Sequence, residues 1–288
     1  MQTLGEALRA AIAALSVDDR NGIQDSCRLE AELLLCKATG ASRTDLIAWP
    51  ERSLGPAQQA CFQALVQRRA TGEPIAYILG RREFWGLQLE VAPTTLIPRP
   101  DTELLVECAL EALPADRPIV CADLGTGTGA IALALAHERP AWTLIAVERS
   151  AGAATIAAAN ARRLGLSHLI PLRADWLRAI APNSLDAIVS NPPYVPDDDP
   201  HLQRGDLRFE PRTSLAAGAD GLDAIRAILT QAPTRLRPNG WIGIEHGWDQ
   251  APAVRRLLRQ AGFEGVTTHR DLADHERVSS ASRKGPTH

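Results

Sequence analysis

Ile119-Val120-Cys121-Ala122-Asp123-Leu124 runs straight into Gly125-Thr126-Gly127-Thr128-Gly129-Ala130. The apolar run reads as a strand, the clustered glycines as a sharp turn, and Ala130–Glu138 as the helix that follows. The same rhythm continues towards the C-terminus. Leu144–Val147, Leu169–Leu172, Leu185–Ser190 and Trp241–Glu245 have the look of further strands. Ala151–Leu164, Gly221–Leu236 and Pro252–Ala261 read as the helices between them. This alternation predicts an α/β domain, doubly wound around a mostly parallel sheet with right-handed crossovers. Val266–His269 and Arg277–Ser280 read as a closing antiparallel hairpin, and Ser282–His288 as a frayed tail.

Upstream the pattern changes. Leu4, Leu8, Ala11, Ile12 and Leu15 recur at helical spacing. Ser26–Ala38 and Pro56–Arg69 read as two more helices, the second with proline in its first turn. Leu29, Leu33, Leu34 and Lys37 set the faces of the first of these, and Phe62, Leu65 and Val66 point inward from the second. Glu83–Val91 alternates around a glycine like a hairpin, and Pro98 and Pro100 break the chain before a helix at Glu103–Ala112. We therefore expect an N-terminal helical bundle for substrate recognition over 1–82, a hairpin and linker over 83–113, and a ligand-binding catalytic domain over 114–288.

Composition excludes several classes. With 31 Lys+Arg against 34 Asp+Glu the net charge is −3, so no chain-wide positive field favours nucleic acid. A 45% hydrophobic and 23% charged chain of 288 residues can bury a core and is not disordered. No stretch approaches the length of a membrane helix. The five cysteines are widely spaced without a C-x-x-C pair, which argues against disulfides and a cysteine-held zinc and for small buried side chains in a cytoplasmic protein. A monomer is expected.

The glycine turn carries chemistry as well as topology. Its backbone can approach a ligand closely, and the next helix offers free N–H groups. Gly125, Gly127 and Ala130 satisfy the spacing of a dinucleotide fingerprint, and Glu148, at the end of the next strand, suits the ribose hydroxyls of either a dinucleotide or an adenosyl-methionine. A tight turn with no ligand is the blander alternative. Asp175-Trp176 follows the third strand, where a ring could flank adenine and a carboxylate could accept from its amino group.

Asn191-Pro192-Pro193-Tyr194 is the sharper signal. It follows the fourth strand of the domain, and lies beside the glycine turn if strand order reverses there, which is where open α/β sheets bind ligands. Neither proline has an N–H, and each restricts the residue before it. The stiff turn presents the Asn191 side chain and the Pro192 carbonyl as acceptors, with Tyr194 as a flat ring. Two acceptors beside a ring suit a planar –NH2 group. An amide or exocyclic amine is a poor nucleophile because its lone pair is delocalised, and acceptors placed for the reacting geometry favour the tetrahedral nitrogen. The alkylated nitrogen sheds its proton readily, so no strong base is required. A rigid turn that merely ends a strand is the alternative.

Together, D-L-G-T-G-T-G at 123–129 and N-P-P-Y at 191–194 resemble class I adenosyl-methionine-dependent amino-group methyltransferases. With I-P-R-P-D-T-E at Ile97–Glu103 and R-F-E-P at Arg208–Pro211, nearly the whole chain resembles the bacterial release factor glutamine methyltransferases. The resemblance implies a class I methyltransferase-type sheet, S-adenosyl-L-methionine as cofactor, and methylation of the glutamine N5 in the Gly-Gly-Gln motif of peptide chain release factors 1 and 2. It places the methionine part at Gly125, Thr126, Gly127, Thr128 and Gly129, the ribose at Glu148 and the adenine by Trp176. Asn191 would face both cofactor and substrate, and Asn191, Pro192, Pro193 and Tyr194 would receive the glutamine, with Asn191, Pro192 and Tyr194 acting in catalysis. Glu148 stands where that family more often has Asp.

Other readings keep the same chemistry on a different acceptor: another protein glutamine, as in a ribosomal protein, or a nucleobase amine. A base-modifying enzyme would need a basic groove or a target-recognition module, for which the charge and length leave little room, so no nucleic-acid substrate is expected. An NAD-dependent oxidoreductase would leave Asn-Pro-Pro-Tyr unexplained, and a non-catalytic binding module remains the option without chemistry. His201, His246, His269 and His275 show no metal-ligand spacing and read as surface or loop histidines. Asp197-Asp198-Asp199 reads as a solvated loop, and no metal is expected. The stretch from Val195 to Asp220 lacks an element of its own and is expected to face the substrate.

Overall fold

The computed structural model describes residues 2–16 and 24–285. The chain divides into two compact units, Met1–Arg81 and Arg82–His288. The first is helical: α1 (Leu4–Ser16), α2 (Gln24–Thr39), α3 (Arg43–Ala48), α4 (Pro56–Ala70) and α5 (Ile75–Leu79). Its core gathers Leu4, Ala7 and Ala11 of α1, Ala31, Leu34 and Leu35 of α2, and Phe62 and Leu65 of α4. In α2 Leu34 and Leu35 are buried, whereas Leu29 is 42% exposed. The short helices α3 and α5 were too brief for a periodicity signal. Ser42 and Asp45 close a reciprocal capping box at the start of α3.

The second unit begins with a hairpin, β1 (Arg81–Phe84) and β2 (Leu87–Glu90), and helix α6 (Glu103–Ala112). Then come β3 (Val120–Leu124), α7 (Ala130–Glu138), β4 (Thr143–Glu148), α8 (Ala151–Arg163), β5 (Leu169–Arg173) and β6 (Leu185–Ser190). The unit ends with α9 (Asp223–Arg235), β7 (Leu236–Glu245), α10 (Ala251–Gln260), β8 (Phe263–Arg270) and β9 (Glu276–Arg283). The seven-stranded sheet has the order β5-β4-β3-β6-β7-β9-β8, parallel up to β7 and antiparallel across β9 and β8. Order reverses at β3, which pairs with β4 on one side and β6 on the other. The crevice at a topological switch point therefore falls at the C-terminal ends of β3 and β6.

Both faces of the sheet are covered, as a parallel sheet requires. Cys121, Ala187 and Val189 face a core built with α6 and α7, where Leu105, Val106 and Ile131–Ala136 are buried. Their strand neighbours Ala122, Leu124, Ile188, Ile242 and Ile244 face a second core with Ile225 and Ile228 of α9 and Val254 and Leu258 of α10. That alternation is the period-two signature of a strand. Asn160 of α8, fully buried, exchanges hydrogen bonds with the Glu90 backbone (2.7 and 3.0 Å) and donates to the Thr128 carbonyl (3.0 Å). One amide so ties the hairpin to the glycine turn.

Several expectations are corrected. Leu236 opens β7 instead of closing α9, and a register shift against Leu185–Ala187 absorbs the irregular start of that strand. Ser282 and Arg283 belong to β9, so the tail begins later than expected; residues 286–288 lie outside the described residues. The stretch 195–220 holds three short 3₁₀ turns, Pro200–Gln203, Gly205–Phe209 and Arg212–Ser214. His246 is not a surface residue. It is fully buried, with Nδ1 2.9 Å from the Gly247 carbonyl and Nε2 2.9 Å from Ser279 Oγ. Cys27, Cys108 and Cys121 are buried, but Cys61 is exposed and Cys36 half-buried. Among the described residues no helix is long and apolar enough to cross a membrane, and no cluster of His, Cys, Asp or Glu could hold a metal ion.

Candidate active site

The glycine turn is built on a buried carboxyl group. Asp123, next to last in β3, is 1% exposed, and its Oδ2 accepts from Thr126 Oγ1 (2.5 Å) and the Ala132 amide (3.2 Å). Burial pushes its carboxyl up to about 7, with Thr126 and Ala132 pulling the other way. Gly125 and Thr126 donate their amides to the Val147 carbonyl (2.9 and 3.0 Å), which pins the turn to the end of β4. The Gly127 amide donates to Glu148 Oε2 (3.1 Å) and the Ser150 amide to Oε1 (2.8 Å). Both carboxylate oxygens are thus oriented by backbone donors and keep lone pairs for further donors.

Trp176 stands over the turn. Its φ of 50° is in the left-handed region, rare for a bulky side chain. A Cβ at Gly125 (φ 70°) would lie 3.5 Å from Trp176 Cζ3, so a side chain there would fill the slot beside the indole. Asp175, next to it, pairs with Arg178.

The second half of the site hangs from β6. Ser190 Oγ, fully buried, donates to the Leu124 carbonyl (2.8 Å) and fastens the end of β6 to that of β3. Asn191 Nδ2 donates to Thr102 Oγ1 (3.0 Å). Pro192 is buried, and the Tyr194 hydroxyl lies 3.5 Å from Glu245 Oε1 at the end of β7. The Tyr194 carbonyl accepts from Gln250 Nε2 (2.9 Å). Gly221 packs so tightly against it that a Cβ would stand 2.2 Å from that oxygen. Glu210, buried, accepts from the Ile97 amide (3.0 Å) and pairs with Arg99. That ion pair joins the I-P-R-P-D-T-E and R-F-E-P motifs, which sequence separates by over a hundred residues.

One cavity of about 720 Å³ collects these parts, within the size range of ligand sites. Gly125, Gly127, Glu148 and Trp176 line one side, Asn191 and Pro193 another. Pro211, Thr213 and Ser214, from the stretch expected to face substrate, line it as well. Thr126, Thr128, Gly129, Pro192 and Tyr194 do not: Thr126 and Thr128 are buried in the turn, Gly129 caps α7, and Tyr194 reaches Glu245. A carboxylate, an indole and a glycine slot fit an adenosine with its ribose hydroxyls, and so fit the adenosyl cofactor.

Thr102 and Glu245 escaped the sequence reading. Thr102 is 4% exposed and Glu245 2%, and burial raises the Glu245 carboxyl to about 7. Burial and the neighbouring Glu245 charge also push the Tyr194 phenol up. Nothing in the local sequence shows that these distant residues meet; only I-P-R-P-D-T-E, which contains Thr102, hinted at it.

Known proteins resemble the chain at two levels. Residues 6–80 match the family described as PrmC N-terminal domain, and residues 100–204 the methyltransferase small domain. A release factor glutamine methyltransferase of Pseudomonas aeruginosa is 52% identical over 93% of this chain and 97% of its own length. One from Escherichia coli is 48% identical over 94% and 96%. Among solved structures, the T. thermophilus 16S rRNA N2 G1207 methyltransferase with AdoMet and guanosine aligns with TM-score 0.54 at 22% identity, over 71% of this chain and 50% of that one. A Pyrococcus furiosus methyltransferase gives 0.51 at 18%, over 78% and 98%. At such identities these two establish the class I methyltransferase fold.

Proposed function

Because the chain belongs to the family of release factor glutamine methyltransferases, we propose that it methylates the side-chain amide N5 of the glutamine in the Gly-Gly-Gln motif of peptide chain release factors 1 and 2. The observation that carries this is that Glu148, Trp176 and Asn191 line one cavity together. S-adenosyl-L-methionine, when bound, supplies a methyl group activated on a sulfonium. Glu148 accepts from the ribose hydroxyls, Trp176 flanks the adenine, and the backbone of Gly125 to Gly129 receives the methionine part. The exposed N–H groups of the substrate amide go to Asn191 Oδ1 and the Pro192 carbonyl, with Pro193 and Tyr194 shaping the turn. These acceptors favour the pyramidal nitrogen whose lone pair is available, and they stabilise the positive charge it gains. The product nitrogen is acidic enough to lose its proton to water, so no side chain is assigned as a strong base. Action on a release factor places the enzyme in the cytoplasm.

The test is transfer of label from methyl-labelled S-adenosyl-L-methionine to a purified release factor, beside that factor's Gln→Ala variant. Label on the wild-type factor alone, located by mass spectrometry to the Gly-Gly-Gln glutamine, is expected. Label on neither, with cofactor binding intact, overturns the acceptor and directs the search to ribosomal proteins or nucleic acid.

A further inference from the structure

Asn191 can serve as an acceptor only if its amide is turned the right way round. An amide presents an oxygen on one prong and an NH2 on the other, and the two have the same shape. A neighbour must therefore tell them apart. Nδ2 of Asn191 is the prong that meets Thr102 Oγ1, at 3.0 Å. That leaves Oδ1 for a substrate N–H.

Thr102 is not employed as its position would suggest. It occupies the N-cap of α6, where a threonine hydroxyl normally accepts from the first turn, yet its side chain makes no cap hydrogen bond. The hydroxyl is instead buried beside Asn191 and favours the charged form of Glu245, whose buried Oε2 has no hydrogen-bond partner of its own. A hydroxyl has one proton to give. If Thr102 gives it to the Glu245 carboxylate, only lone pairs face Asn191, and Asn191 must answer with NH2. If Glu245 were itself a donor, Thr102 could turn its proton to Asn191, and the amide would be favoured the other way round.

We infer that Thr102 and Glu245 are positioning residues: the Glu245 carboxylate orients the Thr102 hydroxyl, and Thr102 holds the Asn191 amide with its oxygen towards the acceptor glutamine. This rests on the role given to Asn191 above. Neither residue touches the reacting atoms. The groups that act on the Glu245 carboxyl are Thr102 and Asp101 from the 3₁₀ turn Pro100–Thr102, Tyr194 from the turn after β6, and Arg277 from β9. Arg277, Thr102 and Tyr194 favour its charge, and Asp101 and burial oppose it. Protonation at or below about pH 7 would therefore reverse the relay.

The experiment measures kcat, KM for the release factor, and cofactor Kd in wild type, Thr102→Val, Thr102→Ser, Glu245→Gln and Asn191→Ala. Thr102→Val keeps the shape and removes the hydroxyl. Its kcat is expected to fall by about 10- to 100-fold, with cofactor Kd within about twofold of wild type. Thr102→Ser restores kcat to within about threefold, and Thr102→Val added to Asn191→Ala slows it by less than about twofold more, because both act through one amide. Glu245→Gln, able to donate to Thr102, is expected to lose about tenfold in kcat and to lack the decline expected of the wild type below about pH 7. Its thermal midpoint at pH 8 stays at or above wild type, since a buried charge has gone. Wild-type kcat in Thr102→Val, with Asn191→Ala impaired, overturns the inference and leaves the role of Asn191 standing. Wild-type kcat in Asn191→Ala overturns both. Thr102→Ser as slow as Thr102→Val, both with lowered thermal midpoints, overturns it in favour of simple packing.

Discussion

The adjacent parallel strands β3 and β6 end in the two halves of one site, and the halves are built differently. The turn after β3 is the more local construction. Asp123 is held by partners three and nine residues ahead, Gly125 and Gly127 bring backbone to the cavity, and Glu148 is oriented by two amides. The turn after β6 is a long-range one. Asn191 is held by Thr102 across 89 residues, and Tyr194 reaches Glu245 across 51. Each half is backed by a buried carboxyl that burial raises to about 7. Backbone and local partners suit a cofactor half that must fit one fixed molecule. The acceptor half must set the polarity of a single amide, and only distant side chains can do that without crowding the cavity.

Substitutions in the two halves are expected to separate rate from affinity. The largest effect is expected at Asn191→Ala: turnover falls by ~10²–10³ while cofactor affinity moves by no more than a few-fold. Steady-state kinetics beside calorimetry with the cofactor checks this, and matched losses in both quantities would merge the halves. Glu148→Ala is expected to do the reverse. Loss of charge-assisted bonds worth about 1.5–3 kcal/mol weakens cofactor binding by roughly 10- to 100-fold, and kcat at saturating cofactor stays near wild type. Unchanged affinity would move the ribose site elsewhere.

Gly125→Ala tests the backbone half directly. The new methyl meets Trp176 at 3.5 Å on a residue held at φ 70°, a conformation costing roughly 1–2 kcal/mol for a residue with a Cβ. Denaturant melts should show that loss, with weaker cofactor binding from the narrowed slot. A variant as stable as wild type would mean that the turn relaxes. The smallest effect concerns pH. Because the Asp123 carboxyl is raised from 3.8 to about 7, its contribution to stability is complete at low pH and is lost as pH rises through about 7. Asp123→Asn should flatten that part of the stability profile, by at most about 1.4 kcal/mol per pH unit. An unchanged slope would show that Asp123 is ionised throughout.

The local half was legible in the sequence, and the distant half only in outline. Gly125, Gly127, Glu148 and Trp176 could be singled out because a strand, a glycine turn and the end of the next strand have fixed spacings. Thr126, Thr128 and Gly129 came from the family resemblance, and of that turn Gly125 and Gly127 line the cavity. Of the Asn-Pro-Pro-Tyr turn, Asn191 and Pro193 line the cavity, a division that adjacency does not resolve. Short helices such as α3 and α5 carry too few residues for a period to register.

Sequence alone determined the α/β sheet, the helical N-terminal unit and the two motifs, because apolar periodicity and the restrictions of glycine and proline act over a few residues and need no knowledge of what packs where. Tertiary structure alone decided that His246 is buried, that Arg99 pairs with Glu210, and that Thr102 and Glu245 stand behind Asn191. Burial and partner choice depend on which distant segments the sheet order brings together. A buried carboxylate or hydroxyl takes its role from the groups it meets there, which the residues beside it in the chain do not specify.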